Sequence, residues 1–259
     1  MVPDWMGWGN NVYQWLWAYE GSLKGEARKA VLPDKHDVWG EMFPVARKNL
    51  LISRNEIRIT DRREQPWVLG EDKWNSEGWF DPKFLDQFVT ECLIPESSIE
   101  ASDPDRLVIN IRRGDYYSVP EYRESFGMPI STFVKESARL AFEGNGSSEI
   151  YIVSDDPDWC REELHWLSKY APVRFAPKSR TPQSDLRTVA AAKQIILANS
   201  TFSYWAAYIG DVLYAGDSKR LVIAPSFFRR DENGGRSHLL RKNWTIVDLV
   251  DGWNKNISH

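Results

Sequence analysis

The sequence is most restrictive in what it has little of. Only two cysteines, Cys92 and Cys160, occur in 259 residues, and they have no metal-ligand spacing. A disulfide-stapled scaffold is thereby excluded, and two free thiols in a reducing compartment are expected. Positive charge is not in excess: 33 lysines and arginines face 37 acidic residues, for a net charge of −4. No long-range field therefore draws nucleic acid or an anionic membrane, and a basic cluster has to act locally. No apolar run approaches the roughly 20 residues of a transmembrane helix, and no signal peptide precedes Trp5. A cytoplasmic protein, or one peripheral to a membrane, is expected. The Asn-x-Ser/Thr triplets at Asn145, Asn199, Asn243 and Asn256 carry little weight without a secretion signal. There is no internal repeat and no low-complexity tract.

What is present is ordinary for a globular protein, with 42% hydrophobic and 27% charged residues,. The length suits one large domain or two small ones. Thirteen tryptophans stand out. Indole rings stack on sugar faces, and they also fill cores and interfaces.

After about residue 104 the chain alternates two periodicities. Strands are expected at Leu107–Ile111, Glu149–Val153, Pro172–Phe175, Gln194–Ala198 and Leu221–Ala224. Helices are expected at Ser131–Phe142 with Ser131 as N-cap, Asp158–Tyr170, Asp185–Ala192 and Phe202–Ile209. Such alternation predicts a parallel sheet with helices on both faces. The first hundred residues are less regular, with helices at Val12–Glu20 and Asp81–Cys92 and a strand-like run at Leu50–Arg58. The Pro-, Ser- and Asp-rich segment Ile94–Asp105 reads as a linker. The expected division is 1–103 and 104–259, as two unequal α/β lobes with a cleft between them.

Four segments carry chemistry at element boundaries. Leu107 to Ile111 is an apolar run that stops at Arg112, Arg113, Gly114 and Asp115, after Asn110. In an open α/β sheet, ligands sit beyond the carboxyl ends of the strands, and an arginine fork matches phosphate oxygens. A phosphorylated, nucleotide-linked ligand follows as the first expectation. A surface ion pair between Arg113 and Asp115 is the plainer reading of the same residues, and Arg113-Gly114-Asp115 also spells an integrin-binding tripeptide. Ser154, Asp155 and Asp156 end the next strand, where carboxylates bond ribose hydroxyls or guanine N–H groups, or where Asp156 caps a helix. The pairs Asp156/Asp158 and Asp103/Asp105 fit an Asp-x-Asp metal pattern, weakened by a central proline. The run Ala198 to Trp205 ends a strand and opens a helix, so Ser200, Thr201, Phe202 and Ser203 offer hydroxyls and amides to an anion. Finally, Gly7 and Gly9 ahead of a helix at Val12 suggest a backbone loop that approaches a ligand, with Gly9 and Asn10 at its tip.

In order along the chain, these segments resemble the α-1,2-fucosyltransferase family, whose members transfer fucose from GDP-fucose. Met6-Gly7-Trp8-Gly9-Asn10-Asn11 is similar to the family's Gly-Gly-Leu-Gly-Asn-Gln-like loop. Asn110 to Asp115 resembles the His-x-Arg-Arg-x-Asp signature, and Ser154, Asp155 and Asp156 its Ser-Asp-Asp element. Ala198 to Trp205 nearly reproduces Ala-Asn-Ser-Thr-Phe-Ser-Trp-Trp, and Val222 to Pro225 and Trp244 follow in order. Asn110, Met6 and Asn11 depart from the family's histidine, glycine and glutamine. Asn110 hydrogen-bonds but cannot carry charge or shuttle protons.

The resemblance implies a GT-B-like fold with a reduced N-terminal lobe, since only Met1 to Trp5 remain for a first strand. It implies an acceptor-side lobe at 1–103 and a nucleotide-sugar lobe at 104–259. An inverting, metal-independent transfer without cofactor follows, from GDP-fucose to a glycan acceptor. Arg112 would stabilise the leaving diphosphate, assisted by Ser200, Thr201 and Ser203. Asp185 resembles the carboxylate that pairs with guanine, and Asn110, Arg113, Asp155 and Asp156 are further donor contacts. Asp115 and Glu121 are the candidate bases, Asp115 alternatively orienting an arginine. Arg62 to Trp79 is a guess at an acceptor loop. Two rivals stand beside this reading: a transferase using another nucleotide sugar, and a catalytically silent sugar-nucleotide or glycan-binding protein.

Overall fold

The computed structural model describes residues 7–63, 82–101, 105–144, 146–230 and 233–248. The chain divides into two compact units, Met1–Ile99 and Glu100–His259.

In the first unit, helix α1 (Trp8–Leu23) buries Trp8, Val12, Trp15, Leu16 and Tyr19, which recur at three- and four-residue spacing,. Helices α2 (Asp37–Met42) and α3 (Pro44–Leu50) flank Phe43, which is fully buried. Trp8 stacks on Trp39 with ring centroids 4.2 Å apart, and Trp15 meets Phe43 edge-on at 6.1 Å. Strands β1 (Ala30–Val31) and β2 (Leu51–Ile52) form a short parallel pair. Helix α4 (Pro82–Phe88) runs into a π-helical turn over Val89–Leu93.

Two expectations fail here. The glycine segment is not a loop: Gly7 is the N-cap, and Trp8, Gly9, Asn10 and Asn11 form the first turn of α1. Burying the Trp8 ring between α1 and Trp39 favours winding that turn over leaving it extended. The strand-like run at Leu50–Arg58 is mostly not a strand. It ends at Ile52, because Ser53 and Glu56 form a capping box around a 3₁₀ turn at Arg54–Glu56,. The expected first strand before Met6 and most of the Arg62–Trp79 segment lie outside the described residues.

The second unit is a six-stranded, wholly parallel sheet. Its strands are β3 (Arg106–Ile111), β4 (Glu149–Ser154), β5 (Val173–Phe175), β6 (Gln194–Ile196), β7 (Leu221–Pro225) and β8 (Thr245–Val247). Their spatial order is β5-β4-β3-β6-β7-β8. The central strand is buried from Leu107 to Ile111, as expected of a strand covered on both faces. Helix α5 (Gly114–Ser118) and helix α6 (Pro120–Phe126) follow β3 at once. Helix α7 (Ile130–Gly144) lays Ile130, Phe133, Val134, Ala138 and Ala141 into the core on one face. Helix α8 (Pro157–Glu163), helix α9 (Pro182–Ala190) and helix α10 (Thr201–Leu213) complete the unit. Proline at the first position starts α6, α8 and α9, where its missing N–H costs nothing.

Every expected strand of this half is present, within two residues at each end. Three details differ. Ser131 lies inside α7 rather than capping it, since Phe133 N–H bonds Pro129 C=O one turn earlier. The helix expected to run to Tyr170 breaks after Glu163 into a 3₁₀ turn at His165–Lys169. Helix α9 begins at Pro182, with Thr181 and Ser184 as its capping box, so Asp185 sits inside its first turn. Among the described residues, no helix is long and apolar enough to cross a membrane.

Candidate functional site

The sheet order fixes where a ligand site falls. From β3 the chain moves outward through β4 to β5, then returns to the other side of β3 with β6 and continues to β8. The carboxyl ends of β3 and β6 therefore flank the topological switch point, the crevice where open α/β sheets take ligands. A small recess lies there, lined by Asn110, Arg112, Met128, Phe133, Ala198 and Asn199.

Arg112 and Arg113 leave the end of β3 with different partners. Arg112 Nη1 donates to Asp155 Oδ2 at 2.5 Å, and Nη2 pairs with Asp115 Oδ1. Its guanidinium carbon lies 5.3 Å from the centre of the Tyr116 ring. Burial works against the Arg112 charge, but Asp155 and Asp115 more than offset it and hold the group above its ordinary value. Arg113 is packed instead. Its guanidinium sits 4.2 Å from the Tyr117 ring centre and 4.1 Å from that of Trp159, and Nε donates to Asp156 Oδ2 at 2.9 Å. Cation–π contacts on two rings and a carboxylate make Arg113 a fixture of the fold. The expected Arg113–Asp115 pair is not formed; Asp115 belongs to Arg112 and Asp156 to Arg113.

The two carboxylates after β4 also divide. Asp155 accepts from Arg112 and, through Oδ1, from the backbone N–H of Arg113 at 2.7 Å. Both of its oxygens thus orient the β3 end. Gly114 leaves room for it, since a Cβ there would lie 2.5 Å from Asp155 Oδ2. Asp156 accepts from Trp159 N–H at 3.2 Å and caps α8, one of its two expected roles.

Asn110, in the position of the family's histidine, is a tie rather than an exposed contact. It is buried, donates through Nδ2 to Val153 C=O at 3.1 Å, and accepts through Oδ1 from Ser203 Oγ at 2.5 Å. One side chain so joins β3, β4 and the start of α10.

Donor accounting at that helix start separates its residues. Ser203 gives its hydroxyl proton to Asn110, so across the 2.9 Å Ser200–Ser203 contact Ser200 is the donor, while Ser200 Oγ also accepts Ser203 N–H. Both serine protons are committed inside the fold. Thr201, half-buried at the first position of α10, has neither its hydroxyl nor its N–H in a hydrogen bond among the described residues. Phe202 is half-buried beside it. Thr201 is therefore the residue of this terminus with a hydroxyl and an N–H to offer an anion, where the helix dipole adds favourable potential,.

Asp185 is mostly buried and accepts from Arg180 Nε at 2.8 Å, while Arg180 Nη2 also holds Ser154 C=O. Burial pushes the Asp185 carboxyl above its ordinary range, Arg180 pulls the other way, and Asp155 adds to the rise. Asp185 is thus drawn to the end of β4, beside the other acidic groups.

Sequence reasoning missed what holds these pieces still. Asn199 donates to Phe126 C=O at 2.9 Å and Phe228 C=O at 3.0 Å. Arg230 donates to the carbonyls of Glu124 and Gly127, and its N–H to that of Ser125. The last carbonyls of α6 are so satisfied by residues from after β6 and β7, a contact that no local pattern announces. Arg180 was missed for the same reason. Glu121 stands exposed on the first turn of α6. Gly9 and Asn10 belong to the first unit. Burial pushes the thiols of Cys92 and Cys160 up, to about 12 and about 11, so neither supplies a thiolate nucleophile near neutral pH,.

A parallel sheet in this order, with cationic groups at its switch point, defines a doubly wound α/β unit of the dinucleotide-binding kind. The chain belongs to glycosyl transferase family 11, whose model matches residues 88–248. It is 29% identical over 167 residues to an alpha-1,2-colitosyltransferase of Escherichia coli, covering 61% of this chain and 56% of that protein. It is 29% identical over 111 residues to galactoside alpha-(1,2)-fucosyltransferase 1 of Saimiri sciureus, covering 41% of this chain and 30% of that protein. The chain thus spans between about a third and just over half of these relatives' length. Among solved structures it is similar to POFUT1 in complex with GDP-fucose, with 13% identity, a TM-score of 0.37, and 73% of this chain and 58% of that one covered.

Proposed function

We propose that the chain is an inverting glycosyltransferase that moves fucose, or a closely related sugar, from a GDP-sugar to a hydroxyl of a glycan, without a metal ion. The observation that carries this reading is the bond between Ser203 and Asn110, which ties the start of α10, where Thr201 lies, to the end of β3, which leads into Arg112 at the switch point. As the glycosidic bond breaks, negative charge grows on the β-phosphate. A fixed guanidinium and a helix N-terminus meet that charge with no reorganisation of their own. Family membership supports the reaction class. Asp185, whose Oδ1 makes no hydrogen bond among the described residues, suits the N1–H and N2–H of guanine. Inversion requires the acceptor oxygen to attack from the face opposite the diphosphate, helped by a carboxylate base. Asp115, on the helix that follows β3, is the first choice for that base, and Glu121 the alternative.

The identity of the sugar is a separate matter. The Escherichia coli relative is a colitosyltransferase, and Asn110 replaces the family's histidine, so a different GDP-sugar is the second reading. Calorimetric titration with GDP, followed by a GDP-release assay across GDP-fucose and other nucleotide sugars, decides between them. Binding of GDP with turnover of GDP-fucose supports the first reading, and turnover of another sugar the second. Binding without release of GDP from any donor would point to a silent binding protein. Activity lost in EDTA and restored by Mn²⁺ would overturn the metal-free assignment.

A further inference from the structure

Arg112 carries two carboxylates that are held very differently. Asp155 is anchored twice, by Arg112 Nη1 and by the Arg113 N–H. Among the described residues, the Asp115 side chain bonds Arg112 alone, through Oδ1; it is 44% exposed, on a helix of five residues. Its second oxygen makes no hydrogen bond among the described residues. Both carboxylates occupy N–H groups of the one guanidinium, so a diphosphate arriving there has to compete with them for Arg112.

We propose that Asp115 is an internal competitor of the donor diphosphate for Arg112, and that its displacement readies it to act as the base. Asp155 stays, because the backbone amide keeps it in place while Arg112 turns one arm to the phosphate. Asp115 then swings off the guanidinium toward the face of the sugar opposite the leaving oxygen, and without its cationic partner it holds a proton more strongly. In the transfer step the acceptor O–H proton passes to an Asp115 oxygen. The acceptor oxygen bonds the anomeric carbon, and the anomeric C–O bond to the β-phosphate breaks. Its electron pair stays on the phosphate oxygen held by Arg112. The donor therefore binds before the acceptor hydroxyl is activated. This inference rests on the GDP-sugar reading above.

The test is a double-mutant cycle on the full chain, titrated with GDP in a calorimeter. Asp115→Asn, and Asp115→Ala beside it, should bind GDP about three- to fivefold more tightly than the parent, the size of one exposed ion pair. The gain should vanish in an Arg112→Gln background, where no cation is left to compete for. Turnover of the donor by Asp115→Asn should fall at least about a hundredfold, the usual contribution of a general base. Tightening that persists in the Arg112→Gln background would mean a general charge effect, and unchanged or weaker binding would mean no competition; either overturns the proposal. Tighter binding with normal turnover overturns the role as base. A parent chain that binds no GDP sinks the GDP-sugar reading itself, a result distinct from all of these.

Discussion

Ser203 Oγ donates to Asn110 Oδ1 at 2.5 Å, tying the first turn of α10 to the strand that ends in Arg112. The bond sets the spacing between the two groups assigned to the leaving phosphate, and Asn110 completes it by donating to Val153 C=O across β3 and β4. A neutral histidine has the same inventory, one donor nitrogen and one acceptor. A neutral histidine at position 110 can therefore take over both bonds.

Asn110→His should accordingly fold and bind GDP within about threefold of the parent at pH 8. It should also add a pH dependence to the one that His36 already gives the parent. The imidazolium has no acceptor for Ser203, so the folded state holds this histidine neutral, with a pKa below the unfolded value of about 6.5. Its stabilising contribution is then complete above that value and lost as the pH falls through it. Urea denaturation of both proteins at pH 8 and pH 5.5 checks this. Equal pH slopes would show that the position does not carry the bond.

Gly114→Ala places a methyl 2.5 Å from Asp155 Oδ2. Backbone conformation permits alanine there, since Gly114 is helical, so the folded state should survive with its melting temperature changed by only a few degrees. Asp155 has to move off Arg112, and GDP affinity should fall about tenfold, the value of one charge-assisted hydrogen bond. Unchanged affinity would mean that Asp155 does not orient the guanidinium.

His36 provides a pH prediction for the first unit. It is buried, and its Nδ1 accepts from Asn11 Nδ2 at 3.0 Å, which requires the neutral ring. Burial, with a smaller push from Lys35, lowers its pKa from 6.5 to about 4. The unfolded chain takes up the proton first, so stability is complete above pH 6.5 and falls between there and about pH 4, by about 3 kcal/mol. Tryptophan fluorescence in urea across that range reads the slope, and His36→Gln should flatten it. The same slope in the variant would assign the loss to other groups.

The strands were legible because a buried parallel strand writes a short apolar run, as at Leu107–Ile111 and Leu221–Pro225. β8 was not, for it has three residues and Ile246 is 38% exposed, so edge position erased the pattern. Helices α5 and α6 were missed because Tyr116, Tyr117 and Phe126 pack through distant partners. Tyr117 O–H bonds Met128 C=O, and Phe126 stacks at 4.4 Å on Tyr116. Arg112, Asp155 and the Ala198 to Ser203 run were visible from their place at strand ends. Which arginine stays open and which is walled in was not visible. That difference is made by Asp156 and Trp159 from beyond β4, which approach Arg113 only once β3 and β4 pair in register.

The most direct test of the account is a crystal structure of the chain with GDP bound. The β-phosphate should lie within about 3 Å of an Arg112 nitrogen and of the Thr201 N–H, with Asp155 still on the Arg113 amide. A diphosphate seated away from both Arg112 and the start of α10 would contradict it.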